Sequence, residues 1–177
     1  MSKLTDLTTK IEQWAIDRNL HTADPRKQML KLGEEAGELY AGIAKGNTEL
    51  IKDSVGDAYV VITILSMQKG FSVSEFVDSI EEPTVKDNAE TAIQLSLSLM
   101  QRTGSIAHSL MHSNNNDTLL TMAHWFIETL FDLAYALNVN RVECIQMAYD
   151  EIKDRKGKMI DGVFVKEADL QEVEDEK

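Results

Sequence analysis

The chain has 177 residues, 43% of them hydrophobic, and a formal net charge of −12. That length suits one domain with its own core, and that hydrophobic share is too large for a disordered chain. The acidity argues against a general nucleic-acid binder, because phosphate contacts need Lys and Arg. It leaves nucleotides open as ligands, since a bound divalent metal inverts the local charge.

Nine glycines and two prolines are few breakers for this length and favour helices over a β design. The single cysteine, Cys144, rules out an intrachain disulfide and is compatible with a reducing compartment. No N-terminal apolar run resembles a signal peptide, and the longest apolar stretch, residues 58–65, is too short to span a bilayer. The expectation is a cytoplasmic protein with no membrane partner.

In chain order, Leu4, Leu7, Ile11, Trp14 and Ala15 recur at helical spacing and predict a first helix to about Asn19. Asp24-Pro25 reads as an N-cap followed by proline at the first helical position, opening a second helix to about Lys45. After the turn Gly46-Asn47-Thr48, a third helix, capped by Asn47 or Thr48, runs to near Gly70. It is apolar nearly all round from Ala58 and is the expected buried element. Ser72-Val73-Ser74-Glu75 has the capping-box pattern of a short helix, stopped by Pro83. Asn88 can cap a helix to about His112, and Ser113-Asn114-Asn115-Asn116-Asp117 is a polar turn before a helix over residues 118–137. Asn140-Arg141-Val142-Glu143 opens the last long helix, to about Lys156; Gly157 and Gly162 break the pattern, leaving residues 163–165 as a short extended segment.

A weak repeat runs at an offset of about 68 residues: Lys69-Gly70-Phe71-Ser72-Val73-Ser74-Glu75-Phe76 parallels Leu137-Asn138-Val139-Asn140-Arg141-Val142-Glu143-Cys144. It reads either as a degenerate internal duplication or as the ordinary likeness of two amphipathic helical hairpins. If it is a duplication, the second half has lost its acids, with Arg102-Thr103-Gly104-Ser105-Ile106 at the positions of residues 34–38. The expected fold is all-α, a bundle built around antiparallel helical hairpins. Residues 1–166 form one domain, residues 84–137 an additional hairpin within it, and residues 167–177 an acidic, disordered tail.

Glu34, Glu35 and Glu38 share one face of the second helix, and Asp53 and Asp57 are an i, i+4 pair on the third. In an antiparallel hairpin the two sets stand at about the same level. Unpaired like charges at such spacing are destabilising, more so where Asp57 abuts the apolar run. Hard oxygen ligands facing one another suit Mg²⁺. The bland reading of Glu34, Glu35 and Glu38 alone is a solvated acidic helix face, and Asp53 alone is a first-turn acid favoured by the helix dipole.

Lys31-Leu32-Gly33-Glu34-Glu35-Ala36-Gly37-Glu38-Leu39 resembles the Glu-Glu-x-x-Glu motif of MazG-like all-α nucleoside triphosphate pyrophosphohydrolases. Asp53-Ser54-Val55-Gly56-Asp57 sits where that family has Glu-x-x-Asp. Glu151-Ile152-Lys153-Asp154-Arg155-Lys156-Gly157-Lys158 is similar to its basic segment, and Trp14-Ala15-Ile16-Asp17-Arg18 to its N-terminal Trp-x-x-x-Arg. The resemblance covers residues 1 to about 80 and 138–166. It departs at Ser54, where a metal-ligating Glu is usual; Asp53 then substitutes for it, or Ser54 holds a metal-bound water.

The resemblance implies Mg²⁺-dependent cleavage, with Mn²⁺ as an alternative, of (d)NTP to (d)NMP and pyrophosphate, as in nucleotide-pool house-cleaning. Glu35, Glu38, Asp57 and Asp53 are the implied metal ligands. Glu34 or Glu35 would orient or deprotonate water, and Lys31 would reach a phosphate or simply pair with Glu35. Lys153, Arg155 and Lys156 read as a phosphate clamp or as cations favouring a helix C-terminus. Trp14, His21 and Trp125 could stack a base, although Trp14 also falls on the apolar stripe of the first helix. Cys144 reads as a small core residue, and His108 with His112 as exposed histidines lacking a third ligand. The rivals are a dUTP/dUDP-type hydrolase of the same superfamily, favoured by the repeat, and a non-catalytic helical protein that binds nucleotide or a partner, favoured by Ser54. Helix pairs exposing large apolar faces point to a homodimer.

Overall fold

The computed structural model describes residues 2–112, 115–160 and 163–167, with residues 158–166 through their backbone. It is an all-α bundle of six helices: α1 (Lys3–Asp17), α2 (Pro25–Lys45), α3 (Thr48–Gln68), α4 (Ala89–His112), α5 (Asn116–Ala136) and α6 (Arg141–Ile152). An antiparallel two-stranded hairpin follows, β1 (Gly157–Ile160) with β2 (Val163–Lys166), in the register Gly157 to Lys166. The extended segment expected at residues 163–165 is therefore a paired strand. The expected acidic tail falls, beyond Glu167, outside the described residues.

The helix starts are set by short polar side chains. Asp24 accepts from Arg26 N ahead of Pro25, Asn47 from Leu50 N, Asn88 from Thr91 N, Asn115 from Asp117 N and Asn140 from Val142 N. Gly46 ends α2 at φ 63°, the left-handed conformation that glycine adopts without strain. α3 is central and packs against α1, α2, α5 and α6. It is buried continuously over residues 58–66, as its all-round apolar sequence predicts. At its middle, Tyr59 stacks on Phe131 of α5, and its hydroxyl hydrogen-bonds the buried Thr8 of α1 at 2.6 Å.

Two expectations about element boundaries and caps need correction. Ser72-Val73-Ser74-Glu75 forms no capping box; the segment is a pair of 3₁₀ turns, and the Ser72 side chain makes no cap bond. The buried Glu12 carboxylate of α1 takes those donors instead, accepting from Ser72 Oγ at 2.8 Å, Ser74 N at 3.2 Å and Ser74 Oγ at 2.8 Å. α6 also ends earlier than expected, at Ile152. There the Arg18 guanidinium donates to the carbonyls of Lys153 and Arg155 while lying over the Trp14 ring, and so caps the helix end from α1.

The repeat is visible in the backbone. α3 and α5 both have 21 residues, and their starts, their ends and their Asn caps are all separated by 68 positions (Thr48 to Asn116, Gln68 to Ala136, Asn47 to Asn115). Both end in the same turn, with left-handed Gly70 and Asn138. Phe71 N donates to Ser66 O, and Val139 N to Ala134 O. For α2 and α4 the burial pattern shifts the match by one residue: Leu32, Leu39 and Gly42 correspond to Leu99, Ile106 and Ser109. The expected alignment of Glu34 with Arg102 is thereby corrected, since Arg102 occupies the place of Glu35. Among the described residues no helix is long and apolar enough to cross a membrane.

Candidate active site

A cavity of about 300 Å³ opens between α1, α2, α3 and the end of α6. Trp14, Leu20, Val60, Val61 and Ile64 give its lining apolar surface; Asp24, Lys27, Lys31, Glu35, Asp57, Glu151 and Arg155 give it charge. Helical geometry places these groups. Lys31 and Glu35 are one turn apart on α2, and Asp57 faces them from α3 across the short Gly46-Asn47 turn. α6 comes close to α3 because residue 56 is glycine: a Cβ there would lie 2.3 Å from the Cys144 carbonyl oxygen. That approach brings Glu151 and Arg155 to the cavity.

Glu35 is 4% exposed and ion-paired to Lys31 at 2.7 Å. Burial raises its pKa, outweighing the lowering by Lys31, and repulsion from Glu38 and Glu34 adds to the rise. Lys31 also pairs with Glu34 at 3.1 Å. Asp57 makes no hydrogen bond or ion pair among the described residues. Its pKa is pushed up to about 7, first by burial and then by repulsion from Glu35, Asp53 and Glu151, with Arg155 opposing. Arg155 is ion-paired to Glu151, one turn earlier.

Of the residues singled out in the sequence, Trp14, Lys31, Glu35, Asp57 and Arg155 line this cavity together. Glu34, Glu38 and Asp53 are exposed and lie outside its lining. Lys153 and Lys156 are exposed as well, Lys153 pairing with Asp150 at 2.7 Å. His21 is half-buried beside the cavity without lining it. Ser54 is 1% exposed, its Oγ has no hydrogen-bond partner, and it does not line the cavity. Sequence reasoning missed Glu151, Gln28 and Gln68. The signal for Glu151 was its i, i+4 spacing to Arg155. Gln68 is readable only in three dimensions: its Nε2 donates to Leu20 O at 2.9 Å, leaving Oε1 buried without a partner.

Among the described residues, no three His, Cys, Asp or Glu side chains stand close enough to cage a metal ion. Mg²⁺ does not require such a cage, since it is commonly bound through one or two carboxylates together with waters and substrate phosphates. Glu35 and Asp57 fit that requirement: burial above all, and then repulsion from Glu35, Asp53 and Glu151, hold back the ionisation of Asp57, and a cation beside it would oppose both.

In the second hairpin the corresponding positions carry no acid. Ser98, Gln101, Arg102 and Ser105 stand where α2 has Lys31, Glu34, Glu35 and Glu38; Met122 and Trp125 stand where α3 has Ser54 and Asp57. These six residues line one smaller cavity of about 200 Å³, in which the Arg102 guanidinium lies over the Trp125 ring at 5.5 Å.

No protein-family model matches the chain, and no solved structure matches it. Over 69 residues, 38% of the chain, it is 52% identical to an uncharacterized 18.2 kDa protein from the rep-hol intergenic region of Haemophilus phage HP1 (strain HP1c1). The match spans 42% of that phage protein, less than half its length.

Proposed function

We propose that the chain is a Mg²⁺-dependent nucleoside triphosphate pyrophosphohydrolase of the MazG-like kind, cleaving (d)NTP to (d)NMP and pyrophosphate. The observation that carries this reading is the meeting of Glu35 and Asp57 with Lys31, Arg155 and Trp14 in one cavity, from four separate elements. The lining combines carboxylates and cations with apolar surface, as a ligand with a phosphate end and a base end requires.

In this reading the base lies against Trp14 and the wall of Leu20, Val61 and Ile64, and the triphosphate points to Lys31 and Arg155. Arg155, held half-buried by Glu151, offers a planar fork to phosphate oxygens. Asp57 and Glu35, with phosphate oxygens, would hold Mg²⁺, which when bound neutralises charge on the phosphates and acidifies water. Glu35 orients the attacking water and accepts its proton as oxygen bonds to the α-phosphorus. The bond from that phosphorus to the oxygen bridging to the β-phosphate breaks, and pyrophosphate leaves. Lys31, paired with Glu35, opposes the rise that burial imposes on that carboxyl and faces the leaving phosphates.

The constant spacing of α3 and α5 favours one narrower version, a dUTP/dUDP-type hydrolase, because a duplicated chain can supply in one molecule what two shorter chains supply together. A panel of nucleoside triphosphates with Mg²⁺, assayed for pyrophosphate and orthophosphate, tests both. Pyrophosphate from several bases supports the broader reading, and turnover confined to uracil nucleotides supports the narrower. Bound nucleotide without turnover would overturn both in favour of a non-catalytic binder.

A further inference from the structure

α4 buries Ala92, Leu99, Ile106 and Ser109 against the bundle. Its opposite face is exposed and apolar: Ile93 is 57% exposed, Leu97 62%, Met100 52% and Met111 67%. With exposed Gly104 and His108 they follow one another at spacings of three and four, a continuous stripe roughly 27 Å long at the helical rise. A solvent-facing helix surface ordinarily carries charge there. From Glu90 to Asp117 the sequence has no intervening Asp or Glu, and Arg102 is the one Lys or Arg between them. In a chain of net charge −12, copies approach each other with least repulsion at such a face. Arg102 itself turns off the stripe, over the ring of Trp125, which is 48% exposed on α5 at the stripe's flank.

The stripe also complements itself. Ile93 and Met111 are equally far along the helix from residue 102, and so are Met100 and Gly104. A two-fold axis crossing α4 at that point sets Ile93 of one copy beside Met111 of the other, and Met100 over the bare backbone of Gly104. Nothing lies within 4 Å of where a Cβ of residue 104 would be. Taking on the order of 100 Å² of apolar surface at each of Ile93, Leu97, Met100, Met111 and Trp125 gives roughly 500 Å² per copy, the apolar centre of an interface for which about 800 Å² per partner is usual. Gln94, Gln101 and His112, all exposed, supply a polar rim without Lys, Arg, Asp or Glu.

We propose that this chain forms a two-fold dimer in which α4 packs antiparallel on α4 of a second copy, centred near residue 102. The hairpin that has lost the acids is the one that associates, and the Glu35–Asp57 cavity does not take part. The proposal is independent of the chemistry assigned to that cavity.

Sedimentation velocity on the full chain at tens of micromolar is expected to give twice 19.9 kDa. The double variant Leu97→Glu, Met100→Glu is expected to give the monomer with an unchanged helical circular dichroism spectrum. Met147→Glu, which charges an exposed apolar residue on α6, is expected to leave the dimer intact. Cysteine mapping tests the register without a destabilising charge, Cys144 being buried. Under diamide, Gln101→Cys links to its own copy and Ile93→Cys, Met111→Cys link to each other, whereas Ile93→Cys alone does not link. A monomeric wild-type chain, a dimer unaffected by the double variant, or an Ile93→Cys chain that links to itself would each overturn the proposal.

Discussion

Glu35 of α2 and Asp57 of α3 face one cavity across the first hairpin, where burial raises the cost of ionising both and Glu35 adds to that cost for Asp57. The sign of the pH dependence follows. Unfolded Asp57 loses its proton near the ordinary 3.8, while the folded, metal-free protein holds it until about 7. Below about pH 3 both states are protonated and there is no penalty. Between pH 4 and 7 the unfolded state ionises and the folded state resists, so this group lowers stability as pH rises. Each unit is worth about 1.4 kcal/mol, and water access to the half-buried group reduces the total to about 2 kcal/mol. In urea unfolding with EDTA, Asp57→Asn is expected to be more stable than wild type by about that amount at pH 8 and indistinguishable from it at about pH 3. Equal stabilities at pH 8 would mean that Asp57 is not confined as described.

Glu35→Gln keeps the size of the side chain and removes its charge. Loss of a positioned base or metal ligand is worth about 10²–10⁴ in rate. Nucleotide turnover is expected to fall by at least about a hundredfold, with the circular dichroism spectrum unchanged. Glu38→Gln, at an exposed position outside the cavity, is expected to cost less than Glu35→Gln under identical conditions. The reverse order would move the metal-holding face outward onto Glu34 and Glu38.

Gly56→Ala tests the α3–α6 contact that brings Glu151 and Arg155 to the site. The new Cβ meets the Cys144 carbonyl oxygen at 2.3 Å and Ala148 Cβ at 2.9 Å, both on the packed surface of α6. Overpacking of this kind costs about 1–3 kcal/mol. Thermal unfolding is expected at a Tm lower by several degrees, and KM for the triphosphate is expected to rise because α6 must move. An unchanged Tm would show that α6 sits farther from α3.

How much of this was legible in the sequence depends on range. Asp24, Asn47 and Asn140 were readable as caps because a cap bonds a backbone group two or three positions away. The repeat was readable at its turns, where Gly70 and Asn138 need the same left-handed conformation. Ser72-Val73-Ser74-Glu75 misled because Glu12, sixty positions earlier, is a better acceptor for Ser72 than any local backbone group offers. The one-residue shift between α2 and α4 was hidden for a similar reason: only burial shows which face of α4 corresponds to Leu32 and Leu39. Hairpin counting placed Glu35 and Asp57 together, but it could not tell Glu35 from Glu34 and Glu38, since exposure is set by what packs against α2. Glu151 belongs to an element more than eighty residues away from either acid.

Arg18→Ala removes the guanidinium that joins Trp14 to the backbone of Lys153 and Arg155. Its hydrogen bonds and ring contact are worth about 1–2 kcal/mol together. The variant is expected to unfold at lower urea and to show a raised KM with kcat less affected, because Arg155 is positioned through this contact. A fall in kcat alone would instead place Arg18 at the reacting phosphate.

The central claim, cleavage between the α and β phosphates at the Glu35–Asp57 cavity, is tested most directly by separating the products of a deoxynucleoside triphosphate incubated with the chain and Mg²⁺. The expected result is nucleoside monophosphate and pyrophosphate in equal amounts, lost together in Glu35→Gln. Orthophosphate with nucleoside diphosphate, or the same products at wild-type rate from Glu35→Gln, would contradict it.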